Sequence, residues 1–230
     1  MIAHTKSADC CEIAQTEAVE DCLRTIFKLA GRNSVVTTSV LAEQLRVTPP
    51  TVSVMLKRLE ASGLVTRSSN RHVRLTAHGE RHATEVTRRH RLVETFLVEV
   101  LGLDWDEVHE EADVLEHALS DRLEARIDAL LGHPTHDPHG DPIPSRTGEH
   151  SETWATPLAD AAVGRRFRVD RVADDDSEVL RYLADRGIRP GAVLEVVRRE
   201  PFGGPLWVRV GKQRHALGPL LTETVHGERI

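Results

Sequence analysis

Between Val108 and Arg126 the chain reads VHEEADVLEHALSDRLEAR, and His109, Asp113, Glu116 and His117 in that stretch have the side chains of metal donors. Successive residues of an α-helix turn by about 100°, which gathers these four into a stripe about 100° wide. Val108, Ala112, Leu115 and Leu119 fall in a separate aliphatic band suited to packing. One segment earlier, RRHRLVETFL sets His90 and Glu94 at i, i+4 on one face. Imidazoles and carboxylates at i, i+3 and i+4 are how helices furnish a divalent-cation site. A solvated charged face would accept the same residues, but Asp113 and Glu116 would then repel, whereas a cation between them would stabilise the local fold. The adjacent Cys10 and Cys11 offer a weaker alternative for metal binding or redox reactivity.

The segment before this stripe carries the opposite charge. From Arg46 to Arg91 ten Lys or Arg stand against three Glu, a surplus of seven positive charges. From Leu92 to Asp137 two Arg stand against thirteen acids, a surplus of eleven negative charges. The formal net charge of −6 hides both. The basic segment would attract a polyanion and the acidic one cations.

The basic segment reads as helix, turn, helix, hairpin. Val40, Leu41 and Leu45 form a short apolar face, and Thr48 is placed to cap a helix opened by Pro49 and Pro50. Val52, Met55, Leu56 and Leu59 recur at i, i+3, i+4, i+7, one buried helical face that Gly63 ends. LVTRSS and HVRLTA then alternate as strands around Ser69-Asn70. This is the layout of a winged helix-turn-helix, with Thr48, Pro50, Thr51, Ser53, Val54, Lys57 and Arg58 at or on the outward side of the second helix. Hydroxyls there can bond base edges or phosphates, Val54 can touch a thymine methyl, and the cations neutralise backbone charge. Arg67, Arg71 and Arg74 lie on or near the wing tip. A winged helix used for protein contact is the competing reading, but fold and charge together favour DNA.

Past His133 the chain turns rich in His, Pro, Gly, Ser and Thr up to Pro157, a linker composition. Beyond it, GRRFRVDRV, AVLEVVRRE and PLWVRVGKQRHALG alternate as short strands. At 230 residues the chain has room for two or three small domains, and with 40% hydrophobic but 3% aromatic residues their cores are aliphatic. No apolar run approaches the roughly 18 to 20 residues of a membrane span, and the opening MIAHTKSADCCEIAQ, without a basic start and apolar stretch, leads to the expectation of no secretory signal. Three clustered cysteines, Cys10, Cys11 and Cys22, fit a reducing cytoplasm better than a disulfide framework. A metallohydrolase could use such carboxylate and histidine clusters to activate water. However, His-Glu-x-x-His, Gly-x-Ser-x-Gly and glycine-rich phosphate loops are all missing from the sequence, so no enzyme is expected.

These segments together resemble the diphtheria-toxin-repressor-like metalloregulators. VEDCLRTIFKL is similar to that family's first helix, VTPPTVSVMLKRLEASGLV to its recognition helix, and RRHRLVETFL with VHEEADVLEHALSD to its metal and dimerisation helices. DPHGDPIP is a further family mark, and LRYLADRGIRPGAVLEVV resembles the SH3-like, FeoA-like barrel that ends its long members. The implied fold is mainly α: a tail over 1–15, a winged helix-turn-helix over 16–82, a helical metal-binding and dimerisation domain over 83–148, and a small SH3-like β-barrel over 149–230. The resemblance implies a primary site of Asp21, Asp113, Glu116 and His117. It implies a second site drawn from His90, Glu94 and His109 or from Glu94, Asp137, His139 and Asp176, with Asp175 or Glu178 as alternatives for the last. Aspartate stands where iron-sensing members carry methionine and cysteine, which resembles the manganese transport regulator branch. In that branch the second position is usually glutamate, so Asp113 is a shorter departure, and some members add an acid where Arg24 stands here, a departure from their paired-metal arrangement. The expected protein is a cytoplasmic, homodimeric repressor that binds a palindromic double-stranded operator when Mn²⁺ is present and silences manganese uptake genes. Fe²⁺ is the alternative cofactor, Co²⁺ or Zn²⁺ are in-vitro substitutes, and no membrane partner is expected.

Overall fold

The computed structural model describes residues 16–32, 34–148 and 154–230, so Cys10 and Cys11 lie outside the described residues. The chain divides into two compact units, residues 1–87 with 144–149, and residues 88–143 with 150–230.

The first unit opens with helices α1 (Glu17–Gly31), α2 (Thr38–Gln44) and α3 (Pro49–Ala61). Their apolar faces close over one core in which Leu23, Ile26, Leu41, Val52, Leu56 and Leu59 are buried. The Thr37 hydroxyl accepts from the Val40 N–H (3.3 Å) and caps α2. Thr48 occupies the corresponding position of α3 but makes no side-chain cap bond; its hydroxyl pairs with that of Thr51 at 2.9 Å. The next two residues, Pro49 and Pro50, have no N–H, so two of the groups a cap would serve do not exist. Strands β1 (Val65–Arg67) and β2 (Val73–Leu75) pair antiparallel as the hairpin. Helix α4 (Ala77–Glu99) starts where the Thr76 hydroxyl donates to the Gly63 carbonyl (2.6 Å) and accepts from the Gly79 N–H (3.0 Å). A Cβ on Gly79 would lie 1.9 Å from the Leu64 carbonyl oxygen, so only glycine lets α4 seat there.

The second unit holds the rest of α4 with α5 (Val108–Leu115) and α6 (Asp121–Leu130). Val93, Leu97, Val108 and Ala112 form one small buried cluster, and Leu92, Ile127 and Ile143 another. Between α4 and α6 the Arg88 guanidinium bonds Glu124 (3.0 Å) and Asp128 (3.0 Å), a partly buried cross-brace.

The remainder of this unit is a sheet of β3 (Thr156–Pro157), β4 (Arg166–Val172), β5 (Val193–Arg199), β6 (Leu206–Val210), β7 (Gln213–Leu217) and β8 (Val225–Arg229). Helices α7 (Ser177–Ala184) and α8 (Pro219–Thr224) lie between its strands in sequence. Strand order is β3-β8-β4-β5-β6-β7, every pair antiparallel. Among the described residues no ladder joins β7 back to β3, so the expected SH3-like barrel is an open sheet. The β3 edge is two residues long and ends in Pro157, which has no N–H to extend a ladder. Trp105, from the acidic segment, packs into this sheet's core with Leu158, Phe167 and Leu183, tying the helical part of the unit to the sheet.

Candidate metal centre and nucleic-acid interface

His90 stands at the middle of the acidic cluster. Its Nδ1 lies 2.5 Å from Glu116 Oε2 and 3.4 Å from Asp113 Oδ1, while its Nε2 lies 3.0 Å from Glu94 Oε1 and 3.1 Å from His109 Nδ1. Each ring nitrogen therefore faces a different group of acids. A neutral imidazole carries one N–H, so it serves one side by donation and meets the other as a lone pair unless a proton or cation intervenes. His109 Nδ1 is also 3.0 Å from Glu94 Oε1 and 3.6 Å from Asp174 Oδ2.

The stripe is built differently from a uniform helix. Helix α5 ends at Leu115 and tightens into a 3-10 turn, Glu116–Ala118. A 3-10 turn advances by about 120° per residue rather than 100°. Glu116 is thereby buried and Leu115, expected in the packing band, is exposed. His117 Nε2 sits 3.6 Å from Glu116 Oε1.

A second group collects around Glu94, the one acid here with no solvent contact (0% exposed). The Oε2 of Glu94, Oδ2 of Asp137 and Nδ1 of His139 are buried and make no hydrogen bond, and one donor atom from each of the three residues lies within 4.8 Å of the others. The loop that carries the last two is held firmly. The Asp137 carboxylate accepts from the N–H groups of His139 and Asp141 (2.9 Å each), and Val172 N–H donates to the His139 carbonyl (2.9 Å). The His139 Nε2 donates to the Trp105 carbonyl (2.7 Å), which leaves Nδ1 as the nitrogen facing the acids. His109 and Asp174 form a further group with Glu94 on the same acid.

The charge states follow from this crowding. Burial alone would raise the Glu94 carboxyl, but His90, His109 and His139 around it hold it well below the usual carboxylate range. Burial pushes Asp137 up to about 7, the Glu94 charge adding to it and His139 and Arg91 opposing. Burial disfavours the His139 imidazolium, yet Glu94, then Asp137 and Asp174, outweigh it and push the pKa up to about 10. Buried oxygens and a ring nitrogen without hydrogen bonds, converging in a concentrated negative field, are what a divalent cation would satisfy. The donor set fits one.

Asp176 does not join this group. Its carboxylate caps α7 instead, accepting from the N–H groups of Glu178 (2.9 Å) and Val179 (3.2 Å). Asp174, two residues earlier, is the acid of that loop that comes near Glu94, in the group with His109. The signal was present in ADDDSEVL: an aspartate directly before a helical run is an N-cap, which assigns Asp176 to the helix and frees an earlier acid. Arg91 is the other residue that spacing does not reveal. It reaches Asp137 (3.8 Å), Asp141 (3.7 Å) and the Pro142 carbonyl (2.6 Å), and so secures the loop to α4.

In the first unit, Asp21 is half-buried on α1. Neighbouring Cys22 is no soft donor: burial, with the Asp21 charge adding, pushes its thiol up to about 12. On α3, Thr51, Val54, Lys57 and Arg58 are exposed, as are Thr48 and Pro50 at its start, while Ser53 is half-buried with its hydroxyl donating to the Pro49 carbonyl (2.9 Å). Arg67, Arg71 and Arg74 are exposed on the hairpin, where Arg67 pairs with Glu60 of α3 (Nε to Oε2 3.0 Å) and Arg71 sits at the tip with φ of 61°. A groove-sized helix with small hydroxyls, a valine and two cations outward is equipped to read duplex edges.

A chain that carries both a winged helix and a buried carboxylate–imidazole centre has the parts of a metal-dependent DNA-binding repressor, and comparison gives the family. Residues 15–73 match the iron dependent repressor N-terminal DNA binding domain, 76–145 the iron dependent repressor metal binding and dimerisation domain, and 156–229 the FeoA domain. The chain is 32% identical to the iron-dependent repressor IdeR of Mycobacterium leprae, over 93% of this chain and 98% of that protein. It is 34% identical to the diphtheria toxin repressor of Corynebacterium diphtheriae, over 80% and 86%. Among solved structures, a manganese-dependent transcriptional repressor in complex with manganese superposes with a TM-score of 0.86 at 40% identity, covering 92% of this chain and all of that one. The manganese regulator SloR gives 0.79 at 29% identity, covering 95% and 100%. The chain belongs to the iron-dependent, diphtheria-toxin repressor family, whose members are transcriptional repressors and not enzymes. Among the described residues no helix is long and apolar enough to cross a membrane.

Proposed function

We propose that this chain is a manganese-responsive repressor that acts in the cytoplasm as a homodimer on a palindromic operator. The carrying observation is the chemistry of the donor atoms. Glu94, Asp137, His139, Asp174, His90, His109, Asp113, Glu116 and His117 offer only carboxylate oxygen and imidazole nitrogen. Thiolate and thioether donors would favour softer ions, whereas oxygen with imidazole suits Mn²⁺. The named manganese regulators among the similar structures support the same reading. The relatives named for iron favour Fe²⁺ as the second reading, since it accepts the same donors.

The proposed primary site takes Asp21 from α1 with Asp113, Glu116 and His117, a set that rests on the sequence resemblance and on the pairing of Glu116 with His117. The second takes Glu94, Asp137, His139 and Asp174, with His90 facing both groups. A cation held by donors from separate segments favours the one chain arrangement in which those segments converge. To carry DNA-competent molecules from 1:99 to 99:1, that preference amounts to about 5.5 kcal/mol. The matched spacing of two recognition helices on successive turns of the duplex is what such an arrangement supplies.

A titration of operator DNA against the metal-stripped protein, at buffered free Mn²⁺, Fe²⁺, Co²⁺ and Zn²⁺, tests this. Amplitude decides rather than affinity, because Zn²⁺ and Co²⁺ outbind Mn²⁺ at most sites. Mn²⁺ should restore full binding and anaerobic Fe²⁺ should not; full activation by Fe²⁺ with partial activation by Mn²⁺ overturns the manganese reading. Asp21→Ala or His117→Ala should abolish metal-dependent binding in a protein that remains folded and dimeric, and wild-type operator affinity in both would refute the primary site.

A further inference from the structure

The first unit holds a pair of histidines that neither metal group uses. His78 and His82 sit one turn apart at the start of α4, both half-buried, with Nε2 atoms 3.1 Å apart and rings tilted by 56° at 4.9 Å between centroids. Each ring therefore turns its Nε2 toward that of the other. We propose that His78 and His82 form a separate bidentate site for a borderline transition-metal ion of the Zn²⁺ or Ni²⁺ class.

Three observations carry it. The first is distance: an ion about 2.0 to 2.1 Å from each nitrogen, with the nitrogens 3.1 Å apart, subtends an angle of about 100°, between octahedral and tetrahedral values. The second is rigidity, because the first turns of α4 are pinned by Thr76 and by the seat that Gly79 makes on Leu64, so little order remains to be imposed on binding. The third is the ligand form. Burial lowers the His82 pKa from its ordinary value, with His78 and Arg81 adding and Glu85 and Glu20 opposing, so the neutral imidazole is favoured. In the metal-free contact one ring must donate its Nε2–H to the other; the ion takes the place of that shared proton. Two histidines at i, i+4 on a helix are a zinc-binding arrangement, and without carboxylates in the pair the site discriminates against Mn²⁺. The inference depends on the first unit alone and stands whichever metal activates the protein.

Histidine-selective ¹⁵N NMR on the full manganese-loaded chain, titrated with Zn²⁺, reads the site directly. The His78 and His82 signals, assigned by their loss in His78→Gln and His82→Gln, should shift together with one midpoint. Each variant should abolish the other residue's shift and remove one bound zinc per chain in equilibrium dialysis. Unmoved signals at zinc levels that saturate the rest of the protein, or a His82 response that survives His78→Gln, would overturn the proposal. Both side chains are half-buried on a helix surface, so both variants are expected to melt like the wild type. If one does not, the common midpoint in the wild-type chain decides.

Discussion

His139 shows how a single buried residue can be set to exchange a proton for a metal. With its Nε2–H committed to the Trp105 carbonyl, its Nδ1 faces Glu94 and Asp137, and in the metal-free protein their charge favours a proton there. Its folded pKa of about 10 lies above the ordinary 6.5, so the stability it contributes is complete below about pH 6.5 and is lost as pH rises through about 10. Asp137, raised to about 7 from 3.8, contributes in the same direction: its share is present at low pH and lost as pH rises through about 7. Glu94, held low, loses its share only as pH falls below the ordinary 4.5. Metal-free protein should therefore show a denaturation midpoint for the second unit that falls between about pH 6 and about pH 9. Saturating Mn²⁺ should flatten that slope, because the ion binds the deprotonated groups. In His139→Gln the metal-free slope should shrink. A metal-free midpoint that is flat or rises over this window would show that protons do not hold the cluster together. Most of these residues were legible in the sequence, since His and Asp within DPHG beside a helical Glu already name a chemistry. The choice of Asp174 over Asp176 is legible only through the N-cap position in ADDDSEVL, so it depends on where α7 begins.

Among the elements, the loop 136–143 has the most demanding geometry. It follows α6 and packs against β4, where the Val172 N–H donates to the His139 carbonyl (2.9 Å), and Gly140 is the residue that permits that approach. Gly140 has φ of 87°, and a Cβ there would lie 2.0 Å from the Asp170 carbonyl oxygen and 2.9 Å from the Arg171 Cα. Left-handed backbone costs a side-chain-bearing residue about 1 to 2 kcal/mol, and forced overpacking about 1 to 3 kcal/mol. Gly140→Ala should thus destabilise the second unit by about 2 to 5 kcal/mol and impair metal uptake at Glu94, Asp137 and His139. Gly191→Ala makes the control: its φ is also 87° but nothing lies within 4 Å of the added carbon, so it should cost only about 1 to 2 kcal/mol. Equal losses in chemical denaturation would mean that the close approach at Asp170 is not what the glycine serves. Spacing anticipated α2, α3 and the hairpin of the first unit, where Val52, Leu56 and Leu59 follow one helical period, while α1 was expected from the family resemblance. It failed at the end of α5, where a 3-10 turn changes the angular step; the C-terminal SH3-like domain expected from the resemblance is present, and only its closure differs, which depends on whether a two-residue edge strand finds a partner. Both outcomes are tertiary, and periodicity carries no information about them.

At the scale of the whole molecule, the acidic half must offer a surface for a second copy if two recognition helices are to meet one operator. In α5 and α6, Val114 is 71% exposed, Leu123 50% and Leu130 65%, and Leu115 is exposed beside them. Single exposed aliphatics are ordinary, but four on two consecutive helices, within the segment that matches a dimerisation domain, are candidates for the contact with a second copy. A twofold interface places the same patch on both partners, so each substitution acts twice. Val114→Glu with Leu123→Glu should convert the dimer to monomer in sedimentation analysis, while both units keep their helix content because neither residue belongs to a core. The basic surplus of the recognition segment remains intact in each monomer, so weak, salt-sensitive binding to any duplex should persist. What should vanish is the preference for the operator, because a monomer meets one half-site and forfeits the contribution of the second. Manganese should still bind the monomer at Glu94, Asp137 and His139, since all the donors there come from one chain. If instead the doubly substituted protein sediments as a dimer with unchanged operator preference, the contact between copies lies elsewhere on the molecule, and α5 and α6 present their apolar side chains to solvent for some other reason.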